Sequence, residues 1–222
     1  MPPPSKTIPI DIVFFLFSRY LQAGGEFRNM GVSRKKAEQN RKRILDSAEQ
    51  LFRQKGVEGV GLAELMNKAG FTQGGFYNHF ASKDALVSEV LTHAMTKGWE
   101  QLNETLDEAR EQGDNPIEHE VEWYLSGRHR KNVKGGCPMA GFVAEIPHLS
   151  EADQHAYTSG LQQTFAKIAA TLIEQNPSLS QTAARKSAVC LFCRMVGSLL
   201  LSRAVADADP ALSNEILAAG RE

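Results

Sequence analysis

From Asn40 onward, apolar residues recur at helical spacing. Ile44, Ala48, Leu51 and Phe52 form a narrow stripe on an otherwise charged segment, which predicts a helix from Asn40 to Lys55 that Gly56 ends. Leu62, Leu65 and Met66 repeat the period, and Ala69-Gly70-Phe71 stops that second helix with the residue best suited to a left-handed backbone. Thr72 offers a side-chain oxygen to cap a third helix, so the turn between the two takes only a few residues. On this third helix Phe76 and Phe80, four residues apart, share the face expected to anchor it to its own domain. Ser82 can cap a longer helix through Leu86, Val90, Leu91 and Met95.

The remaining chain keeps the helical period. Trp99, Leu102 and Leu106 predict one helix and Ile117, Val121, Tyr124 and Leu125 another, with Gly113-Asp114-Asn115-Pro116 as the break. Gly127 to Gly136 is polar and basic and reads as a loop. Ser150-Glu151-Ala152-Asp153 resembles a capping box and opens a helix to Gln175, stopped by Asn176-Pro177. Ser180 starts the last long helix, through Ala183, Val189, Phe192, Val196, Leu199 and Leu200, where Gly197 and Ser198 suit a close helix-helix seam. The fold class is all-α. Before Ser33 the pattern changes: Met1 to Pro9 is proline-rich, and Ile10 to Leu21 is apolar but broken by Asp11, Ser18 and Arg19. That stretch is shorter than the about 20 apolar residues a bilayer span needs. Residues 1–32 are expected to be an extension outside the fold, with Met30 as the natural start and no membrane partner.

Charge adds a second layer. The formal net charge is −1, yet residues 33–83 hold ten Lys or Arg against five Asp or Glu, and the chain from Asp84 on holds twelve against nineteen. A basic end joined to an acidic one is the usual footprint of nucleic-acid binding. Gly74 and Gly75 sit in the first turn of the third helix, where each costs roughly 1 kcal/mol relative to Ala. Bare backbone there lets the turn approach a phosphate or base edge, and its exposed amides favour an anion. Gln73 can bond bidentately to an adenine edge, while Tyr77, His79 and Lys83 suit phosphate oxygens. Thr72 opens the helix, and Arg41 and Lys42 turn toward solvent or phosphate from the first one.

The segments Arg43-Ile44-Leu45-Asp46-Ser47-Ala48-Glu49-Gln50-Leu51-Phe52, Lys55-Gly56-Val57, Ala69-Gly70-Phe71-Thr72 and Phe76-Tyr77-Asn78-His79-Phe80-Ala81-Ser82-Lys83-Asp84-Ala85-Leu86 resemble the N-terminal domain of the TetR (tetracycline-repressor-like) transcriptional regulators. The resemblance covers residues 40 to 92. It implies a three-helix helix-turn-helix head and a connector helix, Lys83 to about Lys97. It also implies a helical ligand-binding and dimerising body, with repression relieved by a small molecule. One departure is Gly61, where the family often has Ser or Thr, so a cap at the second helix is lost. The chain then divides into residues 1–32, a DNA-binding domain at 33–97 with its motif at about 61–80, and a body at 98–222. Expected partners are a palindromic double-stranded DNA operator, a small-molecule effector and a second copy of the chain, in the cytoplasm; no cofactor is expected.

Candidate pocket side chains are Trp99, Trp123, Phe142, Tyr157, Phe165 and Phe192. Cys137 follows Arg128, His129, Arg130, Lys131 and Lys134, a positive neighbourhood expected to favour thiolate. This supports an alternative, a thiol-based redox or electrophile-sensing repressor. Cys190 and Cys193 share a helix face; a structural zinc needs four ligands, and apolar packing is the reading preferred here. A helical enzyme is a remote alternative. His119, His148, His155, Glu118, Glu120 and Asp153 show no metal-ligand spacing and read as ordinary groups of a soluble helix face.

Overall fold

The computed structural model describes the backbone of residues 24–222 and side chains from Arg34 onward. The chain falls into two units, residues 1–43 and 44–222, and the packing that follows is that of the second. The expectation for residues 1–23 lies outside the described residues; from Gly24 on the backbone is helical. Among the described residues there is no strand. The elements are α1 (Gly24–Lys55), α2 (Leu62–Ala69), a 3₁₀ helix (Gln73–Asn78), α3 (Lys83–Gln112), α4 (Pro116–Tyr124), α5 (Gly127–Lys131) and α6 (Pro138–Phe142). A short 3₁₀ turn (Ile146–His148), α7 (Glu151–Gln175), α8 (Gln181–Val205) and α9 (Pro210–Arg221) complete the chain.

Local chemistry explains most boundaries. Gly56 at φ +74 ends α1. Ser82 Oγ accepts the Ala85 N–H at 3.0 Å to open α3, and Gly113 at φ +76 closes it. The two helices expected on either side of Lys97 are one rod of 30 residues. Gly98 is the weakest helix former at the junction, and it serves packing: a Cβ there would lie 2.5 Å from Pro138 Cγ, so α6 rests on bare α3 backbone. Ser150 Oγ accepts the Asp153 N–H at 3.2 Å and donates to its carboxylate at 2.6 Å, the box expected at the start of α7.

Some elements go beyond those expected. Residues 127–131, expected as loop, wind into α5, because Ser126 Oγ accepts the His129 N–H at 3.1 Å. Asp209 caps α9 by accepting the Leu212 N–H at 3.0 Å, with Pro210 in its first turn. A Cβ on Gly220 of α9 would lie 2.5 Å from Ser198 Oγ of α8, so the small pair Gly220 and Ser198 seats this extra helix within the chain.

Two apolar cores result. One gathers Ile44, Phe52, Leu65, Met66, Phe76 and Phe80 with the start of α3. Phe142 belongs to it, 2 % exposed, which corrects its assignment as a pocket residue. The other joins α4, α6, α7, α8 and α9. Cys190 and Cys193 are exposed rather than packed inside: they lie on the side of α8 opposite Phe192, which turns inward.

Candidate nucleic-acid interface and internal cavity

The helix-turn-helix is built as its residues dictate. Gly61 opens α2 with no side-chain cap. Gly70, at φ +81, reverses the chain, and the Phe71 N–H closes on the Met66 carbonyl at 2.8 Å. Thr72 is extended but makes no side-chain cap, against expectation. The helix after it is a 3₁₀ helix of six residues rather than an α-helix, which places side chains three apart on one edge. Phe76 is fully buried and stacks on Phe80 at 5.7 Å, as the anchoring role requires. Tyr77 is 69 % exposed, on the same edge as Gly74. Thr72, Gln73 and Gly74 are exposed, Lys83 is half-buried, and His79 is half-buried with its ring 6.1 Å from Phe71. A Cβ on Gly74 would meet nothing within 4 Å, and one on Gly75 only Met66 Cε at 3.8 Å. Neither glycine has positive φ, so the fold itself demands neither. Arg41 and Lys42 lie on α1 in the first unit, Lys42 exposed and Arg41 half-buried.

A cavity of about 860 Å³ lies behind this head. Of the candidate pocket side chains, Trp99, Trp123 and Phe192 line it, while Phe142, Tyr157 and Phe165 do not. Tyr157 instead spends its hydroxyl on the Met139 carbonyl at 2.8 Å, and Phe165 packs edge-on to Phe192 in the body core. The residues missed by type are Glu120 and Tyr124, one turn apart on α4 and both on the cavity wall. Glu120 is 5 % exposed, not the surface carboxylate expected, and its Oε2 has no hydrogen-bond partner, while the Tyr124 hydroxyl faces the Cys137 thiol. Burial pushes the Glu120 carboxyl up to about 8 against a smaller opposing pull from the Thr105 hydroxyl.

Cys137 stands at the cavity edge, but its thiol behaves opposite to expectation. Burial pushes it up, with the facing Tyr124 hydroxyl, backbone near Ala140 and Met139, and Arg53 pulling back less strongly. The basic run before it does not help. Arg130 is engaged with Ser213 and Asn214 at 2.6 and 2.9 Å. His129 Nδ1 donates to the Tyr124 carbonyl at 2.7 Å while Nε2 accepts the Cys137 N–H at 2.9 Å. Burial, then nearby Arg203 and Arg53, lower this imidazole to about 4, so it is neutral.

Head and cavity share side chains. Arg53 of α1 pairs with Glu49 at 2.8 Å, both nearly sealed from solvent. Its guanidinium also donates to the Gly136 carbonyl and lies 5.3 Å over the Phe142 ring. Glu145 accepts the Val57 N–H at 2.9 Å. Lys97 of α3 reaches Asp46 and Glu49 at 3.1 and 3.3 Å. Asp46, Glu49 and His93 bring three ligand atoms within 4.8 Å of one another, and the Lys97 ammonium pairs with both carboxylates.

Residues 44–90 match the model of bacterial regulatory proteins of the tetR family. The chain is a TetR-family regulator. Over 180 residues, 78 % of this chain and 88 % of the relative, it is 26 % identical to an uncharacterised HTH-type transcriptional regulator in the lacX 3' region of Lactococcus lactis. It is 28 % identical to the HTH-type transcriptional repressor NemR of Escherichia coli over 132 residues, 60 % of this chain and 66 % of NemR. The crystal structure of reduced E. coli NemR shares its fold with TM-score 0.67 at 24 % identity, covering 82 % of this chain and 93 % of that one. A TetR regulator from Chloroflexus aurantiacus gives TM-score 0.68 at 20 % identity, covering 84 % and 92 %. As a TetR-family member the protein is an all-helical DNA-binding transcriptional regulator, and its head is the N-terminal family domain.

Proposed function

We propose that the protein is a cytoplasmic, homodimeric repressor released from a palindromic operator by a small molecule that enters the cavity. The observation that carries this reading is the shared wall: Arg53, a residue of the head's first helix, lines the cavity and holds the Gly136 carbonyl beside Cys137. A ligand that shifts the Gly136–Phe142 segment pulls on α1 directly, and α3 runs unbroken from the head along the same cavity. The two states then differ in how the heads sit on successive major grooves.

Within the head, Gln73 reads a base, with Gly74 and Gly75 allowing close approach, while Thr72, Tyr77, His79, Lys83, Arg41 and Lys42 contact phosphates. The dimer forms through α7 and α8. Alone among the described residues, α8 is long and apolar enough to cross a membrane, and only 28 % of its most apolar stretch is buried inside the chain. Leu201 on it is 61 % exposed, a face suited to a second copy. Thiol sensing through Cys137 is the less supported alternative, because desolvation of this half-buried residue pushes its thiol up, away from thiolate.

The test is binding to duplex from the gene's own upstream region across a salt series. Affinity should fall steeply and log-linearly with salt, with a clear preference over random duplex. Equal affinity for both duplexes, or no salt dependence, would refute the reading.

A further inference from the structure

We infer that the cavity takes an organic cation, a ring-bearing apolar body with a protonated nitrogen that donates to Glu120 Oε2. This rests on the reading of the cavity as the effector site and names the chemical class of its occupant. Four observations converge. Glu120 is on the cavity wall, 5 % exposed, and its Oε2 is unpartnered, a cost that a bound donor removes. Trp99, Trp123, Tyr124 and Phe192 put aromatic rings on the same lining, and aromatic rings favour a cation over a neutral ligand of equal size.

The approach is acidic. A shallower cavity of about 440 Å³ shares Trp99, Glu100 and Glu104 with the first and adds Asp107, Glu108 and Glu111 along α3, so the mouth concentrates cations. Finally, the protein's own cations near the wall are engaged. Arg53 is paired with Glu49 and Lys97 with Asp46 and Glu49, and His129 is neutral. Lys134 is the remaining cation on the lining, and it is exposed. The buried positive charge that an anionic ligand would meet is that of Arg53, which Glu49 already offsets although the guanidinium Nε has no partner.

The proton balance is simple. Burial keeps the empty-site carboxyl of Glu120 protonated at neutral pH. When the ammonium arrives, Glu120 releases its proton to solvent and the ion pair forms, so binding tightens as pH rises. The groups around it do not compete for that proton. Tyr124 on its own helix and Cys137 before α6 are held protonated by burial. Glu104 of α3 is exposed, α7 offers Gln163 and Thr164, and Arg53 and Arg203 keep their charge.

Phenylbutylamine and phenylbutanol, matched in size and differing in charge, test this by calorimetry and by tryptophan fluorescence, since both tryptophans of the chain line the cavity. The amine should bind at least about ten-fold more tightly than the alcohol. Glu120→Gln should erase most of that difference, through a loss of amine affinity several times larger than any change for the alcohol. If the variant fails to fold, the wild type still decides: at pH 7 the amine should release about one proton and the alcohol none, read from buffers of different ionisation enthalpy. Equal affinity of the two ligands with quenching, or no proton release by the amine, overturns the cation class alone. No quenching by either ligand overturns it together with the effector-cavity reading. Amine binding that leaves operator affinity unchanged sinks that reading and spares the ligand class.

Discussion

At Gly74 a methyl group would meet nothing within 4 Å, whereas at Glu120 a carboxylate oxygen lies enclosed without a partner. The first region gives up helix propensity and leaves open space; the second buries a polar group and leaves it unsatisfied. Neither choice improves the folded chain. Each makes sense if another molecule completes the region, a DNA groove in one case and a small ligand in the other. Between them stands Arg53, whose contacts belong to both.

Removing that link should have the largest effect. Arg53→Ala leaves Glu49, 4 % exposed, with only the Lys97 ammonium at 3.3 Å, and strands the Gly136 carbonyl. Denaturant unfolding should show a loss of about 3–5 kcal/mol, the cost of breaking a buried pair from one side. A double replacement, Arg53→Met with Glu49→Leu, should recover most of the stability yet leave operator affinity insensitive to ligand. Full ligand response in the double variant would show that the two regions communicate elsewhere, through α3.

The cavity's polar groups should write themselves into the pH dependence of stability. Glu120, pushed from the ordinary 4.5 to about 8, is protonated when folded and ionised when unfolded between those values, so its contribution falls as pH rises. His129, lowered from 6.5 to about 4, is neutral when folded and charged when unfolded, so its contribution rises with pH over that window. The two slopes oppose each other between 4.5 and 6.5 and leave a plateau there. Above it only Glu120 acts, and stability should drop by about 2 kcal/mol up to its folded pKa. Thermal melts of Glu120→Gln should lack that drop; an unchanged profile would mean that the carboxyl is not held neutral.

On the head side the expected effects are smaller and divide by sequence. Gln73→Ala should cost roughly 1–3 kcal/mol at one base pair and relax the preference there. Lys83→Ala should weaken binding to all duplexes alike and flatten the salt slope. Equal losses on every sequence from both variants would abolish the division between reading and holding.

How much of this was legible depends on where the signal lay. The head was readable because its instructions are local: Gly70 reverses the chain, Ser82 caps, and Phe76 and Phe80 face inward together. The 3₁₀ form of the third helix was not, since two glycines and a short run give no clear period. Glu120 looked like any helix carboxylate, because its burial comes from α3 and α7, distant in sequence. Cys137 misled for the same reason: a basic run in sequence implied a thiolate, while Arg130 turned to Ser213 and Asn214 and His129 became neutral. Asp209-Pro210 did carry a legible start signal for α9, a cap followed by proline, but the apolar stripe after it is short.

The smallest effect is also the sharpest test of the open region. In Gly74→Ala the new methyl meets no neighbour and the backbone needs no positive φ, so the folded protein should gain about 0.5–1 kcal/mol. If the bare turn exists to let DNA approach, operator affinity must fall in the same variant, and stability and binding move in opposite directions. A gain in stability with unchanged affinity would mean that the groove does not reach Gly74. Gly75, where a Cβ would come to 3.8 Å from Met66, would then be the position to ask, because there the chain's own packing already begins to limit the space.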